Sequence, residues 1–294
     1  MKISVITATY NRKYLIHKLY ESLVENYKSF KDFEWVIMDD GSNDGTDKIV
    51  KKWIKEAKFD IKYYYQENAG KMAAINNVID KAVGDILTEI DSDDYFLPGV
   101  LKMISDDYEQ LNDNGVYGIV YKRKIINKET NVDERVNGKV IKLFDLHNVM
   151  DYDFDMVLTF KADIRKKYRY ELEHNEKFIT EARMYYKIDQ EYDGMIFKNK
   201  DAIVCEYMED GYSKNIISIF KKYPYGYCEF FKECLGYKRK GLLFRKRLYF
   251  VKHYILFSYL TSVKKMDAIK KVNGFNKLLV ILLIIPGYIK SKRF

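Results

Sequence analysis

The first 125 residues alternate short apolar runs with stripes at helical spacing, and no other feature restricts the fold as much. Ile3 to Thr7 is a β-branched run, and Leu15, Leu19 and Leu23, with Ile16 and Tyr20 beside them, then recur at helical spacing. Trp35 to Met38 is a second strand, followed by a stripe of Ile49, Val50, Trp53, Ile54 and Ala57. Ile61 to Tyr65 and the stripe Met72, Ile75, Val78, Ile79 and Ala82 make a third unit. Ile86 to Ile90 predicts a fourth strand, with a helix over Pro98 to Leu111 and a strand over Val116 to Tyr121. Continuous apolar strands alternating with helices imply an α/β fold whose mostly parallel sheet is covered on both faces. Ligands on such sheets sit beyond the carboxyl ends of the strands.

The segments at those ends are TATYNR (7–12), DDGSNDGT (39–46), ENAGKMAAIN (67–76) and DSDD (91–94). Neither GxGxxG nor GxxxxGK[ST] follows the first strand, which argues against dinucleotide oxidoreductases and P-loop NTPases. In an extended DSDD segment Asp91 and Asp93 would project to one side, and two carboxylates so close repel unless a cation lies between them. Their hard oxygens suit Mg²⁺ or Mn²⁺, ions that take further ligands from substrate phosphates. The alternative is an acidic turn with Asp94 capping the next helix. Lys71 opens a helix, where free N–H groups already favour anions, so a phosphate is its expected partner.

Together these four ordered segments resemble the family 2 glycosyltransferases of the glycosyltransferase A-type fold, in particular bacterial polysaccharide or capsule-type members. TATYNR is similar to that family's Pro-Thr-Tyr-Asn-Arg start, with Ala8 in place of the usual proline. DDGSNDGT, GKMAAIN and DSDD match its Asp-Asp-Gly-Ser turn, its Gly-Lys-x-x-Ala-x-Asn helix start and its Asp-x-Asp. The resemblance implies a nucleotide-diphosphate sugar donor, most often UDP-linked. Thr9 and Tyr10 would line the base, Asp40 would accept from a ring N–H, and Asp91 would approach the ribose while Asp93 binds the metal. Asn11 and Ser92 belong to the same donor-binding loops. Tyr10 offers a flat π face, though most of the 27 tyrosines must be packing residues. Asp40 would otherwise be a turn residue beside Gly41, and Asn76 is expected to order its loop rather than touch substrate.

Direct displacement with inversion needs a carboxylate to take the acceptor's proton while a metal stabilises the departing diphosphate. Within residues 171–189, EKFITEA is similar to the Glu-Lys-Phe-x-x-Glu stretch of polysaccharide members, which assigns the base to Glu181. The usual second acid is replaced by Ala182, and Glu173 and Glu176 are the alternatives. EDGYSKN (209–215) resembles a segment that closes over the diphosphate, with Ser213 and Lys214 as phosphate contacts. A catalytically silent sugar-nucleotide-binding or membrane scaffold protein would carry the same fold.

Charge is segregated along the chain. Ser213 to Phe294 holds 19 Lys/Arg against 3 Asp/Glu, a local +16, whereas the first 212 residues carry 32 basic against 40 acidic, so the formal +8 describes neither part. An acidic body suits a cation-assisted site, and a basic, aromatic end suits an anionic membrane surface. Nucleic acid is not an expected partner, since no recognised fold frames the basic residues. The organisation reads as a nucleotide-sugar domain over 1–125, an acceptor and catalytic region over 126–215 completing it, and a helical basic extension over 216–294. The last apolar stretch, Phe275 to Ile289, gives about 22 Å of helix against a hydrocarbon core of about 30 Å. It therefore reads either as an interfacial helix or as a helix packed on the core. Three cysteines without paired spacing and four histidines without ligand spacing fit a reducing compartment and no side-chain zinc site. With no apolar stretch behind a basic start, the expected location is cytoplasmic, peripheral at the inner face of the membrane, and the acceptor a glycan or lipid-linked glycan.

Overall fold

The computed structural model describes residues 1–111, 115–126, 134–152, 155–205 and 215–291. The chain divides into two compact units: Met1–Leu143, Asp153–Tyr170 and Met184–Met208 form the first, and Phe144–Tyr152, Glu171–Arg183 and Glu209–Phe294 the second. Residues 126–215 thus contribute to both.

In the first unit β1 (Ile3–Thr9), β2 (Phe33–Asp39), β3 (Asp60–Tyr65) and β4 (Ile86–Glu89) run parallel in the order β3-β2-β1-β4. Interposed are α1 (Ile16–Tyr27), α2 (Thr46–Glu56) and α3 (Lys71–Val78), close to where the stripes predict them. Beyond β4 the sheet becomes mixed. β5 (Tyr95–Phe96), β6 (Val116–Ile125), β7 (Val140–Ile141), β8 (Met156–Lys161) and β9 (Gly194–Cys205) extend it, with β8 antiparallel to both β4 and β6 and β6 parallel to β9. The parallel expectation therefore holds for the strands joined by helical crossovers. β8 enters between β4 and β6 from a segment whose sequence shows no such alternation.

The helices are apolar on the face they bury. Ile16, Leu19 and Leu23 of α1 and Val50 and Trp53 of α2 pack with Trp35 and Phe33 into one core, and Tyr20 stacks on Trp53 with ring centroids 4.3 Å apart. Two buried polar side chains beside it, Glu34 and Asn26, are paired, as burial demands. Glu34 in β2 accepts from the Ser4 hydroxyl at 2.6 Å and pairs with Lys62 at 2.6 Å. Asn26 ties α1 to the chain entering α4 (Val100–Glu109), donating to Leu97 O and accepting from Leu101 N.

One buried ion pair lies beneath the end of β4. Arg165, fully buried in α6 (Ala162–Arg165), donates from Nε to Glu89 Oε1 at 2.7 Å and from one terminal nitrogen to Tyr168 O at 2.8 Å. Tyr170 donates its hydroxyl to Glu89 Oε2 at 2.8 Å and lies against the guanidinium, 5.1 Å from ring centroid to Cζ. Removing one partner strands the other charge, so Arg165→Met should destabilise the protein by about 3–5 kcal/mol. Adding Glu89→Leu should recover most of that loss. Urea denaturation of the single and double variants checks both, and a double variant no better than the single one would contradict the pairing.

The second unit is helical. α8 (Ile216–Lys222), α9 (Pro224–Gly236), α10 (Phe244–Leu260), α11 (Lys265–Lys270) and α12 (Gly274–Ser291) account for the aromatic, basic extension. Tyr227 and Phe231 of α9 stack on Phe257 of α10 at 5.2 and 5.6 Å. α12 continues through Pro286, and no helix among the described residues is long and apolar enough to cross a membrane.

Candidate active site

The parallel register brings the sequence motifs to one edge. Thr9 is level with Asp39 and Asp39 with Tyr65, and β4 stays in step as Ile90 N donates to Ile6 O at 3.0 Å. The four loops after β1 to β4 therefore leave the sheet side by side.

Local hydrogen bonds then fix each loop. Asn11, in the left-handed region at φ 52°, donates its amide to Ser42 Oγ at 2.8 Å and accepts from Asn43 N at 2.9 Å, which joins the first loop to the second. Asp39 accepts from Ser42 N at 2.7 Å and from the Tyr63 hydroxyl at 2.6 Å. Asp40 is buried, and both its oxygens hold the third loop: Oδ1 accepts from Gln66 Nε2 and Ala69 N, each at 2.7 Å, and Oδ2 from Gly70 N at 2.8 Å and Asn68 Nδ2 at 3.2 Å. In this state Asp40 is thus a loop-organising carboxylate; its expected contact with a base would have to share those oxygens. Gly41, at φ 88°, lies so close to this loop that a Cβ would meet Asn68 N at 2.9 Å. Asn76 forms a reciprocal pair with the backbone of Tyr170, at 2.8 and 2.9 Å.

DSDD is a turn rather than the extended segment expected, since Asp94 N donates to Asp91 O at 3.1 Å. Nor does it cap a helix: β5 follows directly, and α4 begins only after Gly99. Asp91 and Asp93 remain partly exposed while Ser92 and Asp94 are buried. Lys71, first residue of α3, brings its Nζ to 2.5 Å from Asp91 Oδ1, so the lysine expected to meet phosphate is paired here with a carboxylate. Thr9 is buried, its hydroxyl without a hydrogen-bond partner among the described residues, and Tyr10 beside it is 47% exposed.

The electrostatics separate the three acids. Burial disfavours the Asp91 charge, but Lys71, then Arg123 and Arg12, outweigh it and hold the carboxyl below its ordinary range. Burial, reinforced by the Asp91 charge, pushes Asp93 up. Asp94 is raised to about 6, mainly by burial, with Arg123 opposing. Two cations thus act on the cluster that the sequence reading did not assign. Arg12 is the last residue of TATYNR and was legible there; Arg123 lies in β6, and only the sheet brings it to Asp94, at 3.5 Å.

Among the described residues no three His, Cys, Asp or Glu side chains are grouped so as to hold a metal ion by themselves. The DSDD donor set nevertheless fits a hard divalent ion. Asp91 and Asp93 stand two residues apart, and a cation shared by them would relieve the like-charge repulsion that adds to burial in raising Asp93.

Glu181 belongs to the second unit, partly exposed and immediately before α7 (Ala182–Glu191). The alternatives near it hold structure. Glu173 pairs with the buried Arg183 at 3.2 Å, and Glu176 accepts from Tyr225 N and Gly226 N at the start of α9, at 2.8 and 2.7 Å. Ser213 and Lys214 lie outside the described residues.

Residues 4–167, more than half of the chain, match the model of glycosyl transferase family 2. A Campylobacter jejuni protein named GalNAc(5)-diNAcBac-PP-undecaprenol beta-1,3-glucosyltransferase is 30% identical over 182 residues, covering 61% of this chain and 55% of that protein. The chain thus spans about half the length of that relative. Its fold is similar to S. aureus TarS 1–349 crystallised with UDP-GlcNAc, at a TM-score of 0.62 and 18% identity over 100% of this chain and 90% of that one. It is also similar to the Pyrobaculum calidifontis mannosyltransferase PcManGT crystallised with GDP-Man and Mn²⁺, at a TM-score of 0.55 and 16% identity over 99% and 83% of the two chains. With the motif order, the strand register and the family model in agreement, the chain belongs to glycosyl transferase family 2.

Proposed function

We propose that this chain is an inverting glycosyltransferase that moves a sugar from a nucleotide-diphosphate sugar, UDP-linked, to a hydroxyl of a glycan or lipid-linked glycan in surface polysaccharide synthesis. The observation that carries the reading is the acidic turn Asp91–Asp94 set among Lys71, Arg12 and Arg123 at the edge where Thr9 and Tyr10 emerge. Opposed charges so arranged suit a ligand that is itself mixed, an anionic diphosphate with its accompanying cation. The names of the matched relatives support the class: one acts on an undecaprenol-linked glycan, and one was crystallised with a UDP-sugar.

Asp93 and Asp91 would hold Mn²⁺ or Mg²⁺. When bound, such an ion neutralises charge developing on the departing diphosphate. Lys71 would exchange Asp91 for a phosphate oxygen when donor arrives, since both are anionic partners for the same ammonium. Tyr10 would offer its exposed ring to the base, and the buried Thr9 hydroxyl would hydrogen-bond beside it. Asn11 and Ser92 would keep their two loops in place around the donor. Glu181, immediately before α7, would take the acceptor hydroxyl's proton, the role that the resemblance of EKFITEA implies for it. The basic extension would bring the site to an anionic membrane surface at the cytoplasmic face.

A thermal-shift screen of nucleotide sugars with and without Mn²⁺ tests this. A UDP-sugar at about 100 times its Kd should stabilise the folded chain by about 2.7 kcal/mol, a rise of several degrees in Tm, only when Mn²⁺ is present. No shift with any nucleotide sugar, or equal shifts without metal, would overturn the reading.

A further inference from the structure

Among the described residues the outer face of α12 carries no polar side chain. Phe275, Leu278, Ile281, Leu282, Ile285 and Ile289 are each between 46% and 63% exposed, and the other exposed residues from Gly274 to Ile289 are Gly274 and Pro286. At about 100° per residue the apolar side chains and Pro286 cover an arc of about 140°, wider than a two-position coiled-coil seam.

The inner face is apolar too, and it is fixed. Leu279, Val280 and Ile284 are buried, and Asn276 donates to Leu235 O at 2.6 Å and accepts from Arg247 of α10 at 2.7 Å. Gly287 lies so close to α10 that a Cβ would meet Ile255 at 2.6 Å. Tyr288 donates to Val263 O at 2.6 Å. A helix apolar all round must be covered all round. Protein covers one side, and the helix does not qualify as a membrane span.

Charge indicates what covers the other side. Lys277 and Tyr288 follow one flank of the stripe, and Lys265 of α11 sits over the Tyr288 ring, 5.5 Å from its centroid. Met266 next to it is 61% exposed. Asp267 is the sole acidic residue between Glu233 and the chain end, against fifteen Lys and Arg.

We propose that α12 is an in-plane membrane-docking helix: its outer stripe enters the interfacial layer of an anionic lipid surface while its inner face stays in the core of the second unit. This deepens the membrane part of the reading above and rests on it, so lipid binding and donor binding are scored separately. An apolar face bordered by lysines binds through buried area and attraction to anionic headgroups together. Both contributions should be separable by substitution.

The test is flotation of the full chain with phosphatidylcholine vesicles, with and without phosphatidylglycerol. The wild type should float with the anionic vesicles. Leu282→Asp with Ile285→Asp should lose binding by at least about ten-fold, with an unchanged melting curve because both side chains point outward. Lys265→Ala and Lys277→Ala should each weaken binding by about five-fold. Undiminished flotation of the double variant, or equal flotation with neutral vesicles, would overturn the proposal. So would a wild type that ignores vesicles but forms a two-chain particle split by the double variant, since the occupant would then be a second copy. UDP binding with Mn²⁺, measured without vesicles, should be equal in wild type and double variant. Its absence from a wild type that floats would overturn the transferase reading and leave the docking helix standing.

Discussion

Asp93→Asn should remove the metal-dependent part of UDP binding and reduce transfer by at least about 10²-fold, with the fold retained. A bound divalent ion supplies several kcal/mol of transition-state charge stabilisation, and each factor of ten in rate corresponds to about 1.4 kcal/mol. The substitution is aimed at Asp93 rather than Asp91 because the two carboxylates differ. Asp91 is paired with Lys71, and its charge is held by that lysine together with Arg123 and Arg12. Asp93 is raised by burial and by Asp91, so a cation beside it has most to gain. Asparagine keeps the shape and removes the charge. Calorimetric titration with UDP, with and without Mn²⁺, gives the readout: the wild type should tighten on adding metal and the variant should not. Equal affinity of the wild type under both conditions would refute the metal role.

Glu181→Gln should leave donor binding unchanged and slow transfer by about 10²- to 10⁴-fold, the usual scale for a lost general base. The neighbouring acids serve as controls. Glu176 caps the start of α9 through two backbone amides, and Glu173 faces Arg183. Their glutamine variants should cost stability before they cost chemistry. Single-turnover transfer with saturating donor separates the cases. Near-normal turnover by Glu181→Gln would reassign the base.

The local parts of both sites were legible because they depend on sequence neighbours. Strands β1 to β4 follow from β-branched runs and the helices from their stripes, and the loops between them carry the residues that cannot be core. The turn at DSDD is not legible in the spacing of its acids, because Asp94 lies inward beside Arg123, a residue 29 positions away in β6. Likewise the four bonds of Asp40 reach residues 66 to 70, and the partner of Lys71 lies 20 residues on. A spacing rule registers none of these long-range pairings.

The same division runs through the C-terminal extension. Composition alone showed a basic, aromatic end with an apolar stretch too short to span, and left open whether that stretch meets lipid or core. Packing divides the stretch by face: Val280 and Ile284 turn inward to the core while Leu282 and Ile285 stay exposed. By itself the sequence determined the family, the order of the loops after β1 to β4 and the sign of each part's charge, since these follow from residue identity and short spacing. The mixed half of the sheet, the counter-ions of the acidic turn and the outward face of α12 were decided only by tertiary structure. Each depends on which distant segments exclude water from one another.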